Sequence, residues 1–197
     1  HGWRTIGRAT SDDIVNWSGL EEMDFGDTAQ EHMYTNGTVP YFRAPHIYVA
    51  LVKRLLPNKM AVPDDEAAAL AHDPGHRMHS SDAVFMTSRG GNRFDRTFME
   101  AFLRPGPTPA DWVSYSNTPA PGVLPGGERD MYIYRIAHYG QPTVHLRRYS
   151  MRLDGFVSVN APYGGGELLT RPFTFTGSEL ELNYETSAFG GVRVEVQ

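Results

Sequence analysis

Six carboxylates stand where acid–base chemistry could be done: Asp13, Asp82, Asp95, Glu100, Glu128 and Asp130. Cutting an acetal link between two sugars needs a pair of such groups on either side of the bond. One has a raised pKa and donates a proton, while the other stays ionised. Asp82 precedes the apolar run Ala83 to Met86, and Glu128 and Asp130 flank Arg129 on a glycine-rich loop just ahead of a strand, all positions that suit the rim of a cleft. These three are the candidate catalytic groups. Asp13 reads first as a turn residue.

Arg43, Arg89, Arg96 and Arg129 are candidate binding groups, because a guanidinium presents a planar fork of donors that fits a carboxylate or sulfate bidentately. Ion pairs within loops would use the same side chains. Pro45 keeps Ala44 extended, which puts Arg43 and His46 at the mouth of a strand. Trp112, inside a long loop, offers a ring face on which a sugar could stack, with core packing as the alternative use.

Other chemistries are poorly served. There is no cysteine, so thiolate nucleophiles and a disulfide framework are excluded. His72, His76 and His79, with Asp73 and Asp82, have the atoms to ligate a divalent ion, but Pro74-Gly75 separates them, and no metal or other cofactor is assigned. No glycine-rich phosphate cradle is followed by Lys and Ser/Thr, and no serine elbow has an evident histidine partner. The net charge of -5 and the lack of a basic stripe argue against nucleic acid, although the positive residues are 16 arginines and only two lysines, Lys53 and Lys59. No apolar run approaches the roughly 18 residues of a membrane span, so no membrane contact is expected.

The elements that would hold these groups are strands. Glycine (20) and proline (14) are abundant, and helical periodicity is sparse, which predicts an all-β fold of short strands and many turns. Two stretches share one plan. Ser81 to Arg89 leads through Gly90-Gly91-Asn92-Arg93 to Phe94, and Ala9-Thr10-Ser11-Asp12-Asp13 leads to Trp17. In each a serine follows a threonine and an aromatic follows six residues later, so both read as hairpins with turn bonds from the serine and an aromatic plug beneath. Asn36-Gly37 marks another turn, Ile47 to Val52 a buried strand ending in Lys53-Arg54, and Asp64 to Ala71 a short helix with acids at its positive end. Phe94 to Leu103 is ambiguous between a strand pair and a helical turn. The loop from Pro107 to Gly127 is of a length that often carries function. Strands resume at Met131–Ile136 and Val144–Leu153. From residue 152 the texture changes, and the alternation of Leu180, Leu182 and Tyr184 with Glu179, Glu181 and Asn183 predicts a sheet with one wet face. The expected organisation is therefore 1–151 and a β-sandwich beginning at 152–197.

Two like hairpins about one blade apart suggest radial repetition of four-stranded sheets, the β-propeller arrangement. With Arg43-Ala44-Pro45-His46-Ile47-Tyr48 and a following sandwich, the chain resembles the five-bladed propeller glycosidases of glycoside hydrolase families 32 and 43. It is most similar to bacterial proteins of this type through Ser81–Arg89, Arg152–Ser158 and Leu182–Ala188. The resemblance implies the last blades of a propeller followed by part of a sandwich. The substrate would be an oligo- or polysaccharide, the reaction hydrolysis of a glycosidic bond, with a non-catalytic carbohydrate-binding propeller or a structural module as the alternatives, and the location secreted or periplasmic. It also implies a longer protein, consistent with a chain that opens on His1 and stops inside the run Val192 to Gln197, so the missing N-terminal part is an expected partner. In family 43 a Glu-Ala/Gly-Pro-His segment carries the general acid on its glutamate. Arg43 stands at that place here, and a guanidinium cannot donate a proton at ordinary pH.

Overall fold

The computed structural model describes residues 2–71, 73–113 and 115–197, and the chain divides into two units, His1–Phe156 and Val157–Gln197. The first is all-β, built from antiparallel sheets. In chain order its elements are β1 (Gly7–Arg8), β2 (Glu21–Glu22), β3 (His32–Asn36), β4 (Val39–Tyr41), β5 (Ala44–Leu56), α1 (Asp64–Leu70), α2 (Pro74–Arg77), β6 (Ser80–Ser88), a turn of 3-10 helix (Pro109–Trp112), β7 (Thr118–Pro119), β8 (Leu124–Pro125), β9 (Asp130–Ala137) and β10 (His145–Arg152).

β5 is the spine. Along one edge it pairs with β3 near its end and β4 near its start, and along the other it pairs with β6 over nine consecutive positions from Tyr48↔Ser88 to Leu56↔Ser80. Beyond β6, single bridges Thr87↔Asp95 and Ala83↔Leu103 show that the ambiguous Phe94–Leu103 segment follows β6 as a broken strand. The result is an up-and-down meander. A second meander runs β7 and β8 against β9, and β9 against β10.

β5 and β6 are buried on both faces, which is why their sequences read as continuous apolar runs rather than alternating ones. One face carries Val49, Leu51, Ala83 and Phe85 into a core shared with Met131 and Ile133 of β9. The opposite face carries Ala50, Val52, Val84 and Met86 into a second core with Met33 and Phe94. Between β3 and β4 the Asn36-Gly37 turn passes so close to Pro121 that a Cβ on Gly37 would lie 2.7 Å from the Pro121 Cα.

Both serine hairpins form as expected, with one correction. Ser88 Oγ donates to the Arg93 carbonyl at 2.8 Å and accepts from the Gly90 amide at 3.2 Å, and Phe94 beneath it is buried. Ser11 Oγ likewise accepts from the Ile14 amide, and Asp13 accepts from the Val15 and Asn16 amides at 2.9 and 2.7 Å. Those bonds hold the Asp13 carboxyl well below its ordinary pKa. Trp17, however, is 59% exposed: its ring lies over the turn and donates to the Ile14 carbonyl instead of plugging a core.

A four-residue helix, α2, begins at Pro74, with the Asp73 side chain capping the Gly75 amide. The division between units falls after Phe156 rather than after 151. Phe156 stacks on Phe85 at 4.9 Å, Tyr41 donates to Asp154 at 2.5 Å, and the Leu153 amide bonds the Arg129 carbonyl, so the segment that looked like the start of a new domain is fastened to the first. In Val157–Gln197 every residue is exposed and there is no strand. The alternating run at 179–184 thus does not open a sandwich within this unit: none of its backbone is paired in a ladder, without which a strand has no partner for its N–H and C=O groups.

β10 forms one outer edge. It pairs only with β9 among the described residues, and it carries Arg147, Arg148 and Arg152.

Candidate functional site

The predicted site residues are dispersed. Asp82 faces Arg54 directly across the β5–β6 ladder and accepts two bonds from it, 2.8 Å from Nε and 2.7 Å from Nη2. Nη1 of Arg54 reaches Glu31 at 2.9 Å and the Met99 carbonyl at 3.0 Å, and Arg96, itself buried, bonds Glu31 at 2.5 Å. Asp82 and Arg96 are therefore members of one chain of alternating charge, Asp82–Arg54–Glu31–Arg96. Its bonds push the Arg54 pKa up, Asp82 contributing most. The network ties β5 and β6 to the segments that flank them.

Glu128, Arg129 and Asp130 lie elsewhere, exposed at the tip of the β8–β9 hairpin. Arg43, in the tight turn between β4 and β5, is ion-paired with Asp154, the residue that also accepts from Tyr41. His46 is exposed near the start of β5, and Arg89 is exposed in the turn after β6 at the same end of the sheet. Trp112 packs against Val62, Ala67 and Val113, donates to the Gly106 carbonyl at 2.9 Å, and borders an open hollow of about 350 Å³ between α1 and the 107–112 segment. Of the histidine cluster, His79 accepts from the Asn58 amide at 3.0 Å, while His72 and the side chain of His76 lie outside the described residues.

The long loop is held by a buried carboxylate. Asp111 is 1% exposed, accepts from the Thr108 hydroxyl at 2.7 Å, and has Arg147 at 3.3 Å, His138 at 3.4 Å and Arg135 at 3.6 Å. Burial alone would raise its pKa, but the Thr108 bonds and the facing cations outweigh that and leave it lowered. Burial moves His138 down as well. This cluster clamps the loop to β9 and β10.

The most unusual chemistry lies around Lys53. Along β5, Val49, Leu51, Lys53 and Leu55 share a parity, so the lysine points to the same side as the core residues and is 3% exposed. Its Nζ donates to Thr118 Oγ1 of β7 at 2.7 Å. Three tyrosine rings surround it, with centroids at 5.2 Å (Tyr34), 5.4 Å (Tyr115) and 5.7 Å (Tyr139). Tyr34 is its direct cross-strand partner on β3. No carboxylate of the described residues is paired with it. Desolvation, helped by the nearby Arg4 charge, pulls the amine down to a pKa of about 7. Burial, opposed by Arg4, pushes the Tyr34 phenol up to about 12, so that ring stays neutral.

The cage is continuous with a more open surface. Arg4 lies over the outer part of Tyr34 at 5.0 Å, its amide bonds His32 Nδ1, and the Trp3 ring packs on His32 at 4.5 Å while remaining 51% exposed. His79 packs on Tyr115 at 5.6 Å, and Tyr139 is 45% exposed. The backbone around the cage is held in left-handed conformations at Thr35 (φ 53°), Tyr115 (φ 56°) and His138 (φ 55°), each a non-glycine residue and Thr35 β-branched. Each such position costs on the order of 1 kcal/mol or more and persists only where the surroundings enforce it, a pattern that gathers at functional sites.

Sequence reading passed over Lys53 because Lys53-Arg54 looks like the polar end of a strand. The signal was the parity of Val49, Leu51 and Leu55, which continues through it. Comparison of the chain with protein-family models, with curated protein sequences and with solved structures gives no significant match in any of the three.

Proposed function

We propose that this protein binds acidic carbohydrate through the face that runs from Trp3 and Arg4 across Tyr34 to the Lys53 cage and Tyr139. The observation that carries the reading is the set of aromatic rings around cationic groups. Trp3 and Tyr139 offer exposed faces for the C–H side of sugar rings, and Arg4 offers an exposed guanidinium for a uronate or sulfate, in a chain whose net charge is otherwise -5. Two neighbouring up-and-down meanders are also what adjacent blades of a propeller would supply, which supports the family-level expectation. Binding without cleavage is favoured over hydrolysis because Asp82 is engaged by Arg54 and because Glu128 and Asp130 stand exposed on another hairpin, so these three do not form a facing pair. Such a role suits a secreted or periplasmic protein that meets polysaccharide.

Calorimetric titration with uronate-containing, sulfated and neutral oligosaccharides tests the reading, with product analysis run in parallel. Saturable binding of the acidic sugars, weakened at least about tenfold by Arg4→Gln or Trp3→Ala, is expected, since each removed contact is worth about 1.4 kcal/mol or more. Absence of binding, or binding indifferent to both substitutions, overturns the proposal. Release of shorter products would replace it with the hydrolytic reading.

A further inference from the structure

We propose that Lys53 is a nucleophilic amine that captures small aldehydes as an imine within its tyrosine cage. This goes beyond glycan binding and does not depend on it, since it needs only Lys53 and the side chains around it.

The argument starts from position. A lysine in a sheet interior would ordinarily meet a carboxylate, and here the groups facing it from each packed element are Arg4 of the N-terminal segment, Tyr34 of β3, Tyr115 of the long loop, Thr118 of β7 and Tyr139 after β9. None is an acid that would hold an ammonium. The Asp73 charge acts on the Tyr115 phenol, and no carboxylate is among the groups that act on the amine. The amine is therefore about half uncharged at pH 7, and uncharged nitrogen has a lone pair to give. Solvent is one ring away: Tyr139, 45% exposed and two residues past the end of β9, has its ring centroid 5.7 Å from the amine, and displacement of that ring is the route by which an aldehyde would reach it.

The balanced step is simple. The Nζ lone pair forms a bond to the carbonyl carbon, the C=O π pair moves to oxygen, and the proton leaving nitrogen ends on that oxygen to give a carbinolamine. Thr118 Oγ1, 2.7 Å from Nζ, is placed to pass the proton. The C–O bond then breaks as the nitrogen lone pair forms C=N, and the remaining N–H proton leaves with the hydroxyl as water. One amine and one aldehyde become one imine and one water, with no oxidant or reductant. The rings exclude bulk water and so slow the return reaction.

The chain has only two lysines, and Lys59 is exposed, so the comparison is internal. The protein is incubated with glycolaldehyde and sodium cyanoborohydride at pH 7, and the reduced adduct is located by peptide mass mapping. With ordinary and lowered pKa values of 10.5 and about 7, the neutral fraction at pH 7 is on the order of a thousandfold larger for Lys53 than for a solvated lysine. Opening of the cage takes back part of that, and labelling of Lys53 at least about tenfold faster than Lys59 is expected. Tyr139→Ala should accelerate Lys53 labelling further and leave Lys59 unchanged. Labelling of Lys59 while Lys53 stays protected in the folded chain, or failure of Tyr139→Ala to raise the Lys53 rate, overturns the proposal. Circular dichroism of each variant confirms that the fold is retained. Glycan titration is run on the wild-type preparation and reads out separately, since Tyr139→Ala also removes a ring of the proposed glycan face and serves only the labelling comparison.

Discussion

The pH dependence of stability offers the most direct measure of how Lys53 is held. In the folded chain its amine titrates at about 7, whereas in the unfolded chain it titrates at the ordinary 10.5. Between those values the unfolded state binds the extra proton, so the folded state gains stability as pH rises and loses it as pH falls toward 7. Below 7 both states are protonated and the contribution is constant. Each unit across the window is worth about 1.4 kcal/mol, so the full span amounts to roughly 5 kcal/mol as an upper figure. Urea denaturation of the wild type and of Lys53→Met at half-unit steps from pH 6 to 9.5 isolates the effect, because methionine fills similar space without titrating. The wild-type minus Lys53→Met difference should rise by about 2 to 3 kcal/mol between pH 7 and 9. A flat difference over that range would refute the picture of an unpaired, desolvated amine. An ammonium held by an acid would stay protonated in both states throughout this window and so would give that flat line, its loss of stability beginning only above 10.5.

Three further outcomes are expected. Asp82→Asn should destabilise the chain by about 3 to 5 kcal/mol in thermal or urea unfolding, since it strips a bidentate partner from the nearly buried Arg54; a change below about 0.5 kcal/mol would remove the structural role assigned to that network. Tyr41→Phe should cost on the order of 1 kcal/mol through loss of the bond to Asp154 and should loosen the 152–156 segment, seen as faster amide exchange at Gly155 and Phe156. Gly37→Ala should lower stability by about 1 to 3 kcal/mol, because the new methyl meets Pro121 backbone at 2.7 Å rather than a side chain that can swing away. A neutral result there would mean that the two loops can separate without loss.

Much of the fold was legible because local chemistry and global packing agree. The runs at Ile47–Val52 and Ala83–Met86 name the two strands buried on both faces, and the Thr-Ser pairs name the two turns that the serines close. The same logic overreached with Trp17, since an aromatic at a fixed offset from a turn serine does not reveal whether a neighbouring sheet stands beneath it. The Arg152–Phe156 motif was visible but misassigned: its anchors, Tyr41 and Phe85, are more than sixty residues upstream, and spacing along the chain carries no record of them. The site was less legible than the fold. Candidate acids and arginines were chosen by proximity to turns, where chain ends of strands are exposed. The unusual lysine lies in the last third of the longest strand, and only the partners on β3 and β7 and in the two loops make it unusual.

The outer border of the second meander has a bearing on how this protein behaves among its own kind. Among the described residues β10 is laddered only to β9, and its other edge is the kind of surface on which a strand from another molecule docks. A second copy aligned antiparallel there would bring Arg148 and Arg152, which share a face of the strand, against the same two cations, and like charges at ladder spacing repel. That charge opposes pairing of β10 with its own copy, and replacing Arg148 and Arg152 by glutamine should raise the tendency of the chain to self-associate, read as light scattering against concentration.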